Sequence, residues 1–202
     1  MRARTQRLAL AALIAVGLAF VIQDTARSAE GGTLTGKVTT PGGQYLGETV
    51  VYLVKVPGKY APRTHVMTQK ALHFHPHVLA ITLGDTVRWE NRDHVGHNVF
   101  SPDHEGYNLG VWDFGENKSY TFEKHLGAYQ QKCSVHPNML AYVFVGQNPH
   151  QAVVGEDGSY TIADVPAGTW ELAVWNSHFQ AAPKPVTVQA GGSVTQDFAL
   201  SK

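Results

Sequence analysis

The sequence has very little cysteine: Cys133 is the only one in 202 residues. A lone thiol cannot close an intramolecular disulfide, so no internal cross-link staples this fold. Helical periodicity is also missing. After residue 30 no long stretch keeps an apolar repeat of 3.6 residues, which argues against a helical fold. Charge of one sign is absent too. The formal net charge is zero at pH 7, and no basic patch forms the footprint of a nucleic-acid binder. Only one long apolar run occurs, Leu8 to Ile22, and it is shorter than the roughly 20 residues that span a bilayer.

That run has a reading of its own. Arg2, Arg4 and Arg7 precede it, and Ala26-Arg27-Ser28 follows with small residues placed for a cut after Ser28. Residues 1–28 therefore read as a secretory signal peptide, the rival being a retained membrane anchor. Removing them leaves a mildly acidic chain with no membrane span. Export puts the protein in the periplasm or another extracytoplasmic, oxidising compartment. There a lone cysteine is a free thiol, an intermolecular bridge or a metal ligand.

Twenty glycines and ten prolines punctuate short β-rich runs, so the expected fold class is all-β. Strands are expected at 33–39, 48–56, 86–90, 98–100, 119–123, 128–132 and 141–145. An extended segment covers 66–82, and 101–110 reads as a polar loop. Gln147 to His150 reads as a connector, and beyond it four more short strands suggest a β-sandwich.

The chemistry gathers in Cys133-Ser134-Val135-His136-Pro137-Asn138-Met139 and in the distant pair His97-Asn98. Two imidazoles, a thiolate and a thioether are the donors of a type 1 copper site, a trigonal His2Cys set with a weak axial methionine. Copper that alternates between Cu(II) and Cu(I) is best served by a stiff frame. A ligand cluster in the turn before strand 141–145, with one histidine from a separate strand, would supply it.

Residues 66–146 resemble cupredoxins of the amicyanin and plastocyanin type. The motifs are Gly84-Asp85-Thr86-Val87-Arg88-Trp89-Glu90-Asn91-Arg92, His97-Asn98-Val99, and the two-residue spacing from His136 to Met139. The resemblance implies a Greek-key β-sandwich holding one type 1 copper ion through His97, Cys133, His136 and Met139. It also implies that the Asn98 N–H donates to the thiolate while its side chain ties the two ligand loops. Two departures stand out. Val135 occupies a position where proline is usual, and its N–H is expected to add a bond to Cys133 sulfur. Asn138 is polar where an aromatic is usual, on the face where the His136 ring edge should meet a partner.

A second resemblance frames the first. Gly36-Lys37-Val38-Thr39, Pro41-Gly42-Gly43 and Thr49-Val50-Val51-Tyr52-Leu53 are similar to the opening hairpin of carboxypeptidase regulatory-like, or transthyretin-like, domains. Asp157-Gly158-Ser159-Tyr160, Val165-Pro166-Ala167-Gly168 and Asp197-Phe198-Ala199-Leu200 are similar to the remainder. The expected organisation is a second small sandwich, 31–60 and 150–202, split around a copper domain at 61–149. Insertion at an exposed loop fits the surface position of domain termini. Tandem domains are the alternative.

His73, His75 and His77 alternate, so on a strand they would share one face, a candidate second metal site or a solvated face kinked at Pro76. The leading function is a one-electron carrier, not an enzyme, because four protein ligands leave no open position for substrate. Its partners would be redox proteins such as a c-type cytochrome or a periplasmic dehydrogenase. Copper sequestration or delivery, and a docking module of a redox complex, are the competing classes.

Overall fold

A computed structural model describes residues 30–202; the expected signal segment lies outside the described residues. Seventeen strands follow in chain order. They are β1 Gly32–Thr39, β2 Thr49–Leu53, β3 Thr64–Lys70, β4 His73–His75, β5 Val78–Thr82 and β6 Thr86–Asn91. Next come β7 His97–Ser101, β8 Tyr107–Trp112, β9 Asn117–Thr121, β10 Gly127–Lys132 and β11 Leu140–Gly146. The rest are β12 Gln151–Val153, β13 Ser159–Val165, β14 Gly168–Asn176, β15 Lys184–Val188, β16 Ser193–Thr195 and β17 Phe198–Ala199. The only helical turns among the described residues are two single 3-10 turns, so the fold is all-β.

Four sheets result. β13-β1-β16, with β17 also on β1, faces β12-β2-β14-β15. Between them lie Leu34, Val38, Val51, Leu53, Ile162 and Leu172, the core of one sandwich. The second sandwich sets β5-β11-β10-β7-β8 against β4-β3-β6-β9. Its core holds Met67, Trp89, Val99, Tyr129, Val143 and Val145, and it includes Cys133 and Met139.

The two sandwiches also pack on each other. Val50 and Tyr52 on β2 and Trp175 on β14 meet Val78, Tyr142 and Phe144 on β5 and β11. β2 and β11 are therefore buried on both faces. Val51 and Leu53 turn one way and Val50 and Tyr52 the other; Ala141, Val143 and Val145 oppose Tyr142 and Phe144. This is why Val50 to Leu53 and Leu140 to Val145 read as continuous apolar and aromatic runs instead of alternating ones.

The first strands pair with the last. β1 pairs antiparallel with β13, and β2 lies between β12 and β14. The segments leading into and out of residues 61–149 are laced together. Leu53 N–H donates to His150 O, Asn148 Nδ2 donates to Leu53 O, and Val56 N–H donates to Gln147 Oε1.

Three local expectations change. The run 66–82 breaks into β3, β4 and β5, which enter different sheets. The loop expected at 101–110 contains the start of β8, an edge strand antiparallel to β7. Its alternation is weak because most of its residues are solvated. Gln151–Val153 is a strand too, paired to β2, although it follows directly on the connector.

Candidate metal centre

His97 opens β7, its imidazole fully buried. Cys133 follows the last residue of β10, and Met139 precedes β11. His136 sits in the turn joining these two strands, which pair from Gly127–Val145 to Lys132–Leu140. Strand pairing on both sides holds the loop, and Met139 N–H donates back to His136 O at 3.0 Å. Cys133 and Met139 are buried, and His136 is half-buried.

The donor atoms converge. Cys133 Sγ lies 4.0 Å from His97 Nδ1 and 3.8 Å from His136 Nδ1, and the two Nδ1 atoms are 3.1 Å apart. A point equidistant from these three atoms is about 2.1 Å from each, inside the range of metal–nitrogen and metal–thiolate bonds. Among the described residues this is the only group of three or more His, Cys, Asp or Glu side chains whose ligand atoms lie so close together. Met139 is near them. The donor set thus fits one small, thiophilic ion.

The surroundings prepare the donors. His97 Nε2–H donates to Asp93 Oδ2 at 2.9 Å, which leaves His97 Nδ1 as a bare lone pair aimed at Cys133 and His136. A carboxylate behind a ligand histidine fixes its tautomer and orientation. Asp93 also accepts from Ala71 N–H and Leu72 N–H. Burial alone would raise its pKa. The Leu72, His97 and Ala71 donors outweigh that and hold the carboxyl below its ordinary value, so it stays ionised. Asp93 was not singled out in the sequence, because its role depends on where its carboxylate points.

Asn98 knits the site. Its N–H donates to Cys133 Sγ at 3.4 Å, and its Oδ1 accepts from Ser134 N–H at 3.1 Å. Its Nδ2 donates to Asn108 Oδ1 and Gly110 O, both at 2.8 Å. Gln69 Nε2 donates to its carbonyl. One residue therefore joins the β7 ligand, the Cys133 loop and the β8 edge.

Val135 differs from expectation. Among the described residues the backbone donor to Cys133 Sγ is Asn98 N–H, and no bond from Val135 N–H to the sulfur is made. The Val135 side chain is nearly half exposed beside His136. The segments flanking His97 and its β8 partner Trp112 expose Val95, Val111 and Phe114, and His94 stacks on Phe114 with ring centres 4.2 Å apart. Pro137 and Asn138 are exposed on the same loop as His136.

The three alternating histidines do not meet. His73 and His75 share the exposed face of β4, while Phe74 between them is buried in the core of the second sandwich. His77 lies beyond that strand and pairs with Glu48 across the seam at 3.1 Å. The period-two reading fails at His77 because β4 ends at His75 and the chain passes through Pro76 into another sheet.

A further cluster lies among the core tyrosines. Glu105 accepts from Tyr120 OH at 2.8 Å and Tyr129 OH at 3.0 Å, with His125 3.8 Å away. Burial opposes ionisation, but these phenol donors prevail and keep the Glu105 carboxyl below its ordinary range. Burial and the same carboxylate push Tyr120 up to about 12.

Two family models match the chain. Residues 62–154 match the copper-binding proteins of the plastocyanin/azurin family, and residues 139–201 match the carboxypeptidase regulatory-like domain. Among solved structures, a reduced Cu(I) proline-to-glycine variant of amicyanin is 28% identical. The match covers 40% of this chain and 79% of that one, with a TM-score of 0.38. A reduced tryptophan-to-tyrosine variant of amicyanin is 26% identical over 41% and 81% of the two chains, also at 0.38. No curated protein matches the sequence. The chain thus combines a segment similar to the plastocyanin/azurin copper-binding family with one similar to carboxypeptidase regulatory-like domains.

Proposed function

We propose that the protein is an exported type 1 copper protein that carries single electrons between redox partners. The observation that supports this best is the triangle of Cys133, His97 and His136 donors, already spaced for one ion. In this reading His97, Cys133, His136 and Met139 would hold the copper ion. The chemistry that copper supplies when bound is a one-electron couple, Cu(II)/Cu(I).

The chain's own residues do the rest. The Asp93 carboxylate holds His97 in the tautomer that presents Nδ1. Asn98 N–H stabilises negative charge on Cys133 sulfur. The β10–β11 pairing keeps three ligands on one rigid turn, so little need move between oxidation states. His136, alone of the three histidine and cysteine ligands, reaches the surface, and through it electrons would enter and leave. The exposed apolar side chains Val95, Val111, Phe114 and Val135 suit brief docking of a c-type cytochrome or periplasmic dehydrogenase. Electron-transfer encounters use small interfaces.

The laced segments at 53–56 and 147–150 support the domain reading as well: a copper domain at 61–149 inserted into a regulatory-like sandwich of 31–60 and 150–202.

The test is an absorption and electron paramagnetic resonance spectrum of the copper-loaded protein beside Cys133→Ala. An intense thiolate-to-copper visible band with small hyperfine splitting, lost in the variant, is expected. A visible band retained by Cys133→Ala overturns the assignment.

A further inference from the structure

We infer that His73 and His75 form a second, surface metal site for a borderline divalent ion such as Zn(II) or Cu(II), separate from the buried donors. Phe74 is 2% exposed in the core, which pins β4 and turns both flanking imidazoles to solvent on one face. β3 backs this short edge strand, with Lys70 opposite His73 and Thr68 opposite His75. The scaffold of the pair is therefore rigid although the side chains are exposed.

The ring arrangement suits chelation. The His73 and His75 ring centres are 6.2 Å apart, with planes 42° apart. Two imidazoles bound to one ion through bonds of ~2.0–2.1 Å put their ring centres about 5–6 Å apart. A small rotation about the side-chain torsions closes the difference. The tautomer is prepared as well. His73 Nδ1–H donates to Ala71 O at 2.7 Å, which leaves Nε2 as the free donor facing solvent. A ligand histidine whose other nitrogen is held by a carbonyl is the usual arrangement at protein metal sites. Imidazole suits zinc and copper, and water would complete the shell.

His77 lies outside this site because β4 ends at His75 and the His77 ring packs edge-on to Tyr142 instead, with ring centres 5.8 Å apart. The pair also adjoins the buried centre. Leu72, next to His73, donates to Asp93 Oδ2, the same oxygen that receives His97 Nε2–H. Two hydrogen bonds meeting at Asp93 would thus link the residue beside an ion caught on β4 to a ligand of the buried centre.

Isothermal titration of the copper-loaded chain with Zn(II) tests the site, using His73→Asn, His75→Asn and His77→Asn beside the parent. One Zn(II) equivalent is expected in the parent, bound at least tenfold more weakly in His73→Asn and in His75→Asn, and unchanged in His77→Asn. All three substituted side chains are exposed, and an unchanged visible spectrum confirms that each variant keeps the buried centre. Binding unaffected by His73→Asn and His75→Asn overturns the proposal. Binding that also needs His77 overturns the two-histidine assignment. Failure of the buried copper centre would instead appear as loss of the visible band in the parent itself.

Discussion

At the scale of residues, the centre depends on side chains that touch no ion. Asp93 is the clearest case, since it holds both the tautomer of His97 and the turn at Ala71–Leu72. Asp93→Ala should weaken copper binding by roughly 10–100-fold, as loss of such a partner does elsewhere, measured by competition with a copper chelator. Asn98→Ala removes three side-chain bonds, to Asn108, Gly110 and Ser134, from a buried residue. It should cost about 1–3 kcal/mol in a denaturant melt of the metal-free protein. Val135 calls for a different prediction. Its N–H makes no bond to Cys133 sulfur, so Val135→Pro should leave the midpoint potential close to the parent's in cyclic voltammetry. A large fall would show that the N–H does reach sulfur. Asn98 and the four donors could be named from the chain because they lie in two short motifs. Asp93 and the silence of Val135 N–H could not, because each depends on where a side chain or an amide points.

At the scale of elements, burial on one face or two decides how a strand reads. β2 and β11 are covered on both sides and stand out as continuous apolar runs. β8 and β12 are short or solvated and are hidden among polar residues. Phe144 on β11 packs at 4.7 Å from Tyr52 on β2 and at 5.8 Å from Trp175 on β14. Phe144→Ala should cost ~3–5 kcal/mol if the void persists, and less if the two sheets close up. Calorimetry should show the loss, together with separation of one unfolding transition into two. Glu105, in the loop between β7 and β8, gives a pH dependence. Its folded pKa lies below the unfolded value of about 4.3, so its stabilisation is full above that pH and is lost as pH falls through the folded value. Glu105→Gln should therefore be less stable than the parent at pH 7, with the gap narrowing in acid. A constant gap from pH 7 to pH 3 in urea melts would count against this.

At the scale of the whole molecule, two sandwiches share a wall. The seam joins apolar side chains of Val50, Tyr52, Tyr142, Phe144 and Trp175 to a polar edge where Glu48 meets His77 and Ser177. The regulatory-like half therefore bears on β11, the strand that follows Met139. Removing residues 151–202 would strip β12 and β14 from β2 and expose Tyr142 and Phe144. That deletion should cost the copper spectrum its stability to heat, followed as the temperature at which the visible band is lost. Loss of partner binding with an equally heat-stable band would mean that this half only docks.

The sequence by itself determined which candidate donors are present and how they are spaced, along with an all-β pattern and two sets of turn-and-strand motifs. Local order suffices there, because ligand type and strand periodicity are written in neighbouring residues. The tertiary structure alone decided which orientations were realised. It brought Asp93 behind His97, separated His77 from His73 and His75, and laid β2 against β11. Those outcomes depend on contacts between residues far apart in the chain, and a single strand's pattern does not specify what covers its second face.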